Sequence, residues 1–438
     1  MSIPIPPGRR HSGWRSITAL RAWKPLAPVG FFDSDRGLES RVEKVQRHRG
    51  VLYAATIVGV FFLDATSGTF KPVNMPVAQA WDFLAIEGQL LAATSDGVYA
   101  VNGGQATFMR QSVNNDFYAL VFHRSRQDGQ RVFVGLFNGL TSLRWENGIW
   151  RDEGHAPGIQ DEIRTLVETK DGRLWAGTYA TGLLRLTFPR DGGEIWQDVQ
   201  VERFGPEHGL PDGRVYVHEI NGTPYFTTLD NIYRFDPATQ RFAVDSTFMV
   251  VPSDGGWILN EDERGRVWVL GKGLAMSTRQ ADGSYQWLKA PFRRFSDVII
   301  STVYSEENGA VWFGTISGLI RYDSNRQVDY AVDYPALVRR VMAGEDSLIY
   351  GGAVETSRRD ASTTLSYAHD NLRFQYSASS FEDASRLQFQ TWLEGFDEQW
   401  SNWNDNTEKE YTNLPEGDCR RSHSFPIFCS NYLHSFST

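Results

Sequence analysis

Residues 172–186 read GRLWAGTYATGLLRL, and residues 309–323 read GAVWFGTISGLIRYD. Each stretch opens on a turn glycine and runs through apolar residues that include a tryptophan. It then crosses a turn of small residues and returns through a second apolar run. Leu174, Trp175 and Ala176 suit a strand, Thr178 to Gly182 a turn, and Leu183 to Leu186 the returning strand, which makes a β-hairpin.

The pattern repeats. Copies begin at Gly50, Gly88, Gln130, Gly172, Gly222, Gly265 and Gly309, with spacings of 38, 42, 42, 50, 43 and 44 residues. A degraded eighth copy, DSLIYGGAVETS, begins at Asp346, 37 residues further on. A strand candidate precedes each hairpin, such as Ile163 to Glu168 or Val298 to Tyr304, and another follows, such as Thr69 to Val73. Four antiparallel strands per unit is the arithmetic of a propeller blade. A lone blade cannot bury both faces, so blades must pack radially. Tyr53, Phe133, Trp175, Tyr225, Trp268 and Trp312 occupy equivalent positions, which assigns them to packing between blades. Leucine-rich and helical repeats of similar period need a Leu-x-x-Leu or helical pattern in each unit, and these units have none. The expected fold is all-β, with seven blades (eight as the alternative) over about residues 14–355. An N-terminal strand near Arg21 to Val29 would close the ring, because an open ring leaves an exposed edge.

Composition agrees with such a fold. The chain has 438 residues, of which 41% are hydrophobic and 22% charged, a globular balance. Forty glycines and 13% aromatics fit many short strands joined by tight turns. The net charge of −9 argues against a nucleic-acid partner, which calls for a basic face. No apolar run approaches the ~20 residues of a membrane helix. The N-terminal MSIPIPPGRRHSGWRS has no signal-peptide core, so no export signal or anchor is expected from the sequence. Both cysteines, Cys419 and Cys429, lie at the C-terminal end, which excludes a disulfide framework for the body.

The repeats resemble the two-component-regulator propeller repeat, which runs roughly Asp-Gly-x-Leu-Trp-x-Gly-Thr, then Gly-Leu, then an apolar strand ending in Asp. The family's Gly-Leu turn ahead of the inner strand is matched by FDSDRGLESRV (Phe32 to Val42) and FGPEHGLPDGRV (Phe204 to Val215). The copies at Gly222 and Gly265 depart most, lacking the Trp and the Gly-Thr respectively. Further on, LRFQYSASSFEDASRLQFQTWLEGFDEQWSNWNDNTEKEYTNLPEGD is similar to the three-tyrosine (Y_Y_Y) domain, a small Ig-like β-sandwich that follows such propellers. Leu372, Phe374 and Tyr376 alternate toward one face there, followed by the LEGFD turn (Leu393 to Asp397), Trp400 and YTNLPEG (Tyr411 to Gly417). The expected organisation is residues 1–29 as an N-terminal segment, 30–355 as the propeller, 365–418 as an incomplete three-tyrosine sandwich, and 419–438 as an aberrant tail.

The resemblance implies a sensor. Such pairs form the extracytoplasmic input regions of bacterial hybrid histidine kinases, LuxR-type regulators and diguanylate cyclases. A membrane helix and an output module normally follow, and neither is seen in this sequence, which reads as a fragment of a receptor with one propeller. The implied role is binding of a small extracellular ligand, such as an oligosaccharide, in a periplasmic setting, with homodimerisation in the full receptor, no cofactor and no catalysis in this chain. The tail CRRSHSFPIFCSNYLHSFST has no Asp, Glu or Gly and breaks off where the family continues with alternating strands. A reading-frame shift or premature end is the preferred reading, and a divergent terminal strand the alternative.

No catalytic constellation is recognisable: there is no G-x-S-x-G, H-E-x-x-H, P-loop or EF-hand series. Propellers related to streptogramin lyases use a His and a Glu in the channel, but His218 and Glu219 are adjacent on a strand and should face opposite ways. SNWNDNTEKE (Ser401 to Glu410) lacks the alternating ligands of a calcium loop and reads as a solvated hairpin, so no metal site is assigned. Glu263 to Trp268 faintly resembles the Asp box of sialidases, so a carbohydrate-active glycosidase or lyase is the alternative function. A plain interaction scaffold is a third.

In a four-stranded blade, the loop entering the inner strand and the turn between strands two and three share one face. Loop tips there are free to vary for recognition. The candidate ligand-binding set on that face is Asp96, Phe137, Asn138, Tyr179, Thr181, Asp230 and Lys272, with Arg36 and His208 from the preceding loops. Phe137 and Tyr179 would stack on a ring and the polar residues would bond hydroxyls.

Overall fold

Leu174, Trp175 and Ala176 are buried on a strand, Arg173–Thr178, that turns back into Leu183–Thr187. Ile163–Glu168 pairs on one side of this hairpin and Gln200–Phe204 on the other, giving a four-stranded antiparallel sheet. The hairpin turn has its own chemistry. The buried Thr178 hydroxyl donates to the Gly182 carbonyl at 2.8 Å, and Thr56, Thr94 and Thr315 do the same to Gly59, Gly97 and Gly318. A short polar side chain thus adds a second bond to a turn carbonyl and fixes the turn.

The computed structural model describes residues 29–111, 117–189, 194–253, 255–295, 298–326, 336–344, 347–351, 371–378, 387–393, 396–414 and 428–431. The chain divides into two compact units, at Val328 and Asp329.

Among the described residues, the first unit holds seven four-stranded antiparallel sheets in chain order. Their first strands are Val42–His48, Ala80–Ile86, Ala119–Arg124, Ile163–Glu168, Tyr216–Ile220, Ile258–Glu261 and Ile300–Ser305. Each first strand lies beside the first strand of the next sheet, and that of the seventh lies beside that of the first. These are the inner strands of a closed cycle.

The core follows the same cycle. Tyr53 packs with Phe83, Leu91 with Phe122, Phe133 with Leu174, and Trp175 with Phe226. Tyr225 then shares a cluster with Val267, Trp268 with Phe313, and Trp312 with Leu52 of the first sheet. All six repeat aromatics therefore pack against the following sheet, and burial of each removes a large apolar area from water. The copies at Gly222 and Gly265, which depart most from the repeat, form the fifth and sixth sheets like the others.

The seventh sheet takes its fourth strand, Val29–Phe32, from the start of the chain; it pairs with Gly318–Asp323. Of the stretch from Arg21 to Val29 anticipated for this role, only Val29 lies within the described residues.

The Gly-Leu motifs are interblade plugs. Gly37 (φ +74°) and Gly209 (φ +93°) end short 3-10 turns in the left-handed region. A Cβ at Gly37 would lie 2.3 Å from the Phe70 carbonyl oxygen, and one at Gly209 2.7 Å from that of Phe242. Only glycine permits that approach, which seats Leu38 and Leu210 in the core.

The second unit bears on two expectations. Ser347–Tyr350, part of the degraded eighth copy, pairs with Ala336–Ala343, which in turn pairs with Leu372–Ala378. With Glu408–Tyr411 these make a four-stranded sheet, so the eighth copy adds no sheet to the first unit and the division falls well before residue 355. Ladder pairing with Leu372–Ala378 decides the matter, and a twelve-residue pattern match carries no information about pairing. Secondly, Phe428–Asn431, within the compositionally aberrant tail, pairs with Leu387–Gln390. The tail, read from the sequence as a frame shift or premature end with a divergent terminal strand as the alternative, thus supplies a strand. Val341, Phe374, Tyr376, Leu387, Phe389 and Tyr411 share one apolar cluster, with Leu372 packed against it. Asp397 accepts from the Tyr411 hydroxyl and the Leu393 N–H, both at 2.7 Å. Among the described residues no helix is long and apolar enough to cross a membrane.

Candidate functional site

Five of the seven inner strands carry a β-bulge at the same place. The register slips between Val42 and Lys44, Ala80 and Asp82, Ala119 and Val121, Ile163 and Thr165, and Ile300 and Thr302. The extra residues are Glu43, Trp81, Leu120, Arg164 and Ser301. A bulge re-aims one side chain out of the alternation. These five, with the equivalent Tyr216 and Ile258 of the fifth and sixth sheets, line one cavity of about 350 Å³. Every sheet of the cycle contributes at least one residue to it.

Side chains beneath the bulges hold neighbouring sheets together. The Asp82 carboxylate accepts from the Phe122 N–H at 2.9 Å on the next sheet and lies 3.1 Å from Lys44 Nζ on the previous one. The Thr165 hydroxyl accepts from the Val217 N–H at 2.8 Å. The bulge residues therefore stand on backbone fixed by bonds between sheets.

Charge and aromatic surface alternate across the mouth. The Arg164 guanidinium lies 4.7 Å from the Trp81 ring and 5.6 Å from that of Tyr179, and its Nε donates to Glu162 at 2.5 Å. Trp81 is 6.5 Å from Tyr118, which stacks on Phe137 at 5.5 Å. Phe137, Tyr118, Trp81, Arg164 and Tyr179 thus form a continuous ladder of flat groups. Arg214 sits 5.0 Å over Tyr216 and donates to the Gly255 carbonyl. Arg41 Nε is 2.8 Å from Glu43 Oε1. Burial pushes the Glu43 carboxyl above its ordinary range, against the opposing pull of Arg41 and Arg164. Burial likewise raises the Tyr216 hydroxyl, opposed by Arg214 and Arg164.

The two faces of the cycle differ. Around the mouth, the turns between second and third strands expose Ile57, Val58, Phe137, Tyr179, Leu229 and Ile316. The turns leaving the inner strands are charged and tied together instead. Arg47 bonds Glu306, Arg124 bonds Glu87, the Arg126 N–H bonds Glu168, and the Asn221 N–H bonds Glu261.

The sequence-derived candidates meet this site unevenly. Phe137 and Tyr179 are exposed and end the ladder. Thr181 donates to Asp161 at 2.5 Å, which Arg203 also holds, so it braces the loop. Asp96 accepts from the Tyr99 hydroxyl at 2.6 Å. Asn138, Asp230 and Lys272 stand on exposed turns and do not line the cavity. Arg36 and His208 do not line the cavity. Their 3-10 turns approach the outer strands of the next sheet through Gly37 against Phe70 and Gly209 against Phe242; Arg36 donates to the Gly68 carbonyl there, whereas His208 rests on Phe204 of the sheet its own turn follows. His218 and Glu219 take different partners, Thr227 at 3.0 Å and Arg126 respectively. Among the described residues no group of His, Cys, Asp and Glu is placed to hold a metal.

The bulge residues escaped the sequence reading because they sit inside predicted core strands. A signal was present. After the buried Val42, Ala80, Ala119, Ile163, Val215, Trp257 and Ile300, the next residue is Glu, Trp, Leu, Arg, Tyr, Ile and Ser. Position-specific variety inside an otherwise uniform repeat marks a surface free of the packing constraint.

Residues 157–180 match the family model of the two component regulator propeller (Reg_prop). A search of the curated proteins finds no match. Among solved structures, the chain is similar to the extracellular domain assigned to a hybrid two component system of B. thetaiotaomicron. The TM-score is 0.63 at 16% identity, covering 89% of this chain and 54% of that one. This chain therefore spans about half the length of that domain. A second B. thetaiotaomicron extracellular domain, of a one component system, aligns at 15% identity and TM-score 0.28 over 86% of this chain and 77% of that one. Virginiamycin B lyase from Staphylococcus aureus aligns at 9% identity and TM-score 0.45 over 67% of this chain and 98% of the lyase. The first likeness supports the all-β fold of repeated four-stranded sheets.

Proposed function

We propose that this chain is the ligand-sensing input region of a bacterial signal-transduction receptor. The seven sheets are read as the blades of a β-propeller whose open end receives a small extracellular solute, with oligosaccharides as the first candidates. The C-terminal unit is read as a truncated Ig-like sandwich of the three-tyrosine type, which hands the bound state to an output module outside this chain. On this reading the chain works outside the cytoplasm, binds without turnover, needs no cofactor or nucleic acid, and pairs as a homodimer in the full receptor.

One observation carries the reading: a single cavity is lined by at least one residue from each of seven inner strands. Convergent polar groups among aromatic walls are the usual make-up of a small-molecule site. The two-component-regulator match at residues 157–180 supplies the receptor context.

Calorimetry of the pure protein against a panel of glycan fragments tests it. The expected result is heat of binding that disappears in Trp81→Ala and falls in Tyr179→Ala and Phe137→Ala, with the ligand recovered unchanged by chromatography. Cleavage products would establish the glycosidase or lyase alternative instead.

A further inference from the structure

Resting on the reading of the mouth as a ligand site, we infer that its ligand carries a carboxylate on a ring, and that Arg214 is the group that selects it. Among the described residues the cavity is lined by three arginines, Arg41, Arg164 and Arg214, but by one carboxylate, Glu43. That bias stands against a chain whose net charge is −9. Arg41 is engaged by Glu43 and Arg164 by Glu162. Arg214 differs: its recorded partners are the face of Tyr216 and the Gly255 carbonyl, neither of them an anion. Among the described residues no carboxylate pairs with it.

The seat of Arg214 is built. Gly255 and Gly256 both have positive φ, +76° and +113°. A Cβ at Gly256 would lie 2.6 Å from Arg214 Nη2 and 2.9 Å from the Thr228 carbonyl oxygen. The chain thus makes room for a guanidinium set over an aromatic ring, with donors left over. A guanidinium has five N–H groups in a fixed fork that matches a carboxylate bidentately.

The ring follows from the opposite wall. Trp81 lines the cavity, and Arg164 lies over its face. Flat apolar surface next to a fixed cation suits a ring that presents one face for stacking and an anionic group at its edge. A volume of about 350 Å³ is near the lower end for small-molecule sites, so the recognised part is one or two rings. Two sources share this chemistry: a uronic acid within a saccharide and an aromatic acid.

The test is calorimetry on the full chain with glucuronate, methyl glucuronate ester, glucose and 4-hydroxybenzoate. The expected result is that at least one of the two acids binds. The uronate arm is read against its ester and glucose, and the hydroxybenzoate arm stands for an aromatic acid. The acid should bind at least about tenfold more tightly than its neutral counterpart. Arg214→Gln should abolish that preference, and Arg214→Lys should keep part of it, with both variants melting as the parent does. The inference is overturned if neither acid binds, if ester or glucose binds as well as the acid, or if folded Arg214→Gln keeps the preference. A neutral sugar that binds and is lost in Trp81→Ala would overturn the carboxylate while leaving the mouth as the ligand site. Glycan fragments that bind with full strength in Trp81→Ala would instead remove the mouth itself.

Discussion

Arg126 Nη1 lies 2.9 Å from Glu219 Oε1, although Arg126 follows the inner strand of the third sheet and Glu219 belongs to that of the fifth. The fourth sheet lies between them, so this pair skips a neighbour. It belongs to the charged face, opposite the mouth, where adjacent sheets are tied by ion pairs and N–H bonds. The cavity is therefore open from one end of the cycle and braced at the other.

Both partners of this pair are partly solvent-exposed, so their coupling should be small. A double-mutant cycle of Arg126→Ala and Glu219→Ala, read by urea unfolding, should give about 0.5–1 kcal/mol at low ionic strength. It should fade in 1 M salt, where the screening length is about 3 Å. A coupling indifferent to salt would show that the pair acts by packing.

Trp268 is fully buried, and its indole N–H donates to Asp262 Oδ2 at 2.9 Å. Trp268→Ala should destabilise the first unit by about 3–5 kcal/mol, from the cavity and from the carboxylate left short of a donor. Phe137→Ala, at a turn tip where the ring is half exposed, should stay within about 0.5 kcal/mol. Denaturation midpoints of the two variants check the contrast, and equal losses would refute it.

That contrast also explains what the sequence could reveal. Trp175, Trp268 and Trp312 announced the packing between sheets because each repeats at a fixed offset from a turn glycine. Phe137 and Tyr179 could be assigned to turns between second and third strands from strand order alone. Glu43, Trp81 and Arg164 did not follow from strand alternation, because a bulge is a backbone event, two residues facing one; only their variety from repeat to repeat marks them. Arg36 and His208 stand apart from the cavity for a different reason. A loop entering an inner strand can start at the rim, and only the close approach of Gly37 and Gly209 to the next outer strand shows that it does.

Burial holds the His218 ring down to about 4, and a backbone hydrogen bond to Leu259 only partly opposes this. The unfolded chain titrates near 6.5, so between about 6.5 and 4 the unfolded state binds the extra proton. Stability from this group is complete above about pH 6.5 and is lost progressively as pH falls toward 4, to the extent of about 3 kcal/mol. His218→Gln should therefore lose less stability than the parent between those two values, as followed by thermal melts. Parallel pH profiles would contradict this.

Phe32, in the strand that completes the seventh sheet, lies 5.2 Å from Trp312 and 5.8 Å from Phe70. Removing residues 1–32 should strip that sheet of its edge strand and bare the backbone of Gly318–Asp323. The expected outcome is a lower melting temperature and concentration-dependent association, because an unpaired apolar strand recruits other chains. Light scattering against protein concentration reads it; a truncated protein that stays monomeric with an unchanged melt would show that the strand is dispensable.

The pairing of Val29 with Tyr322 and of Phe32 with Leu319 fixes how this clasp would respond to force. Residue 29, where the chain enters, and residue 323, where it leaves toward the second unit, sit at the same end of the antiparallel pair. Tension between them loads the hydrogen bonds one after another, as in a zipper, and never all at once in shear. The first unit is thus a drum fastened by a peelable seam, and a pull on its two chain ends would part that seam before it disturbed any other sheet.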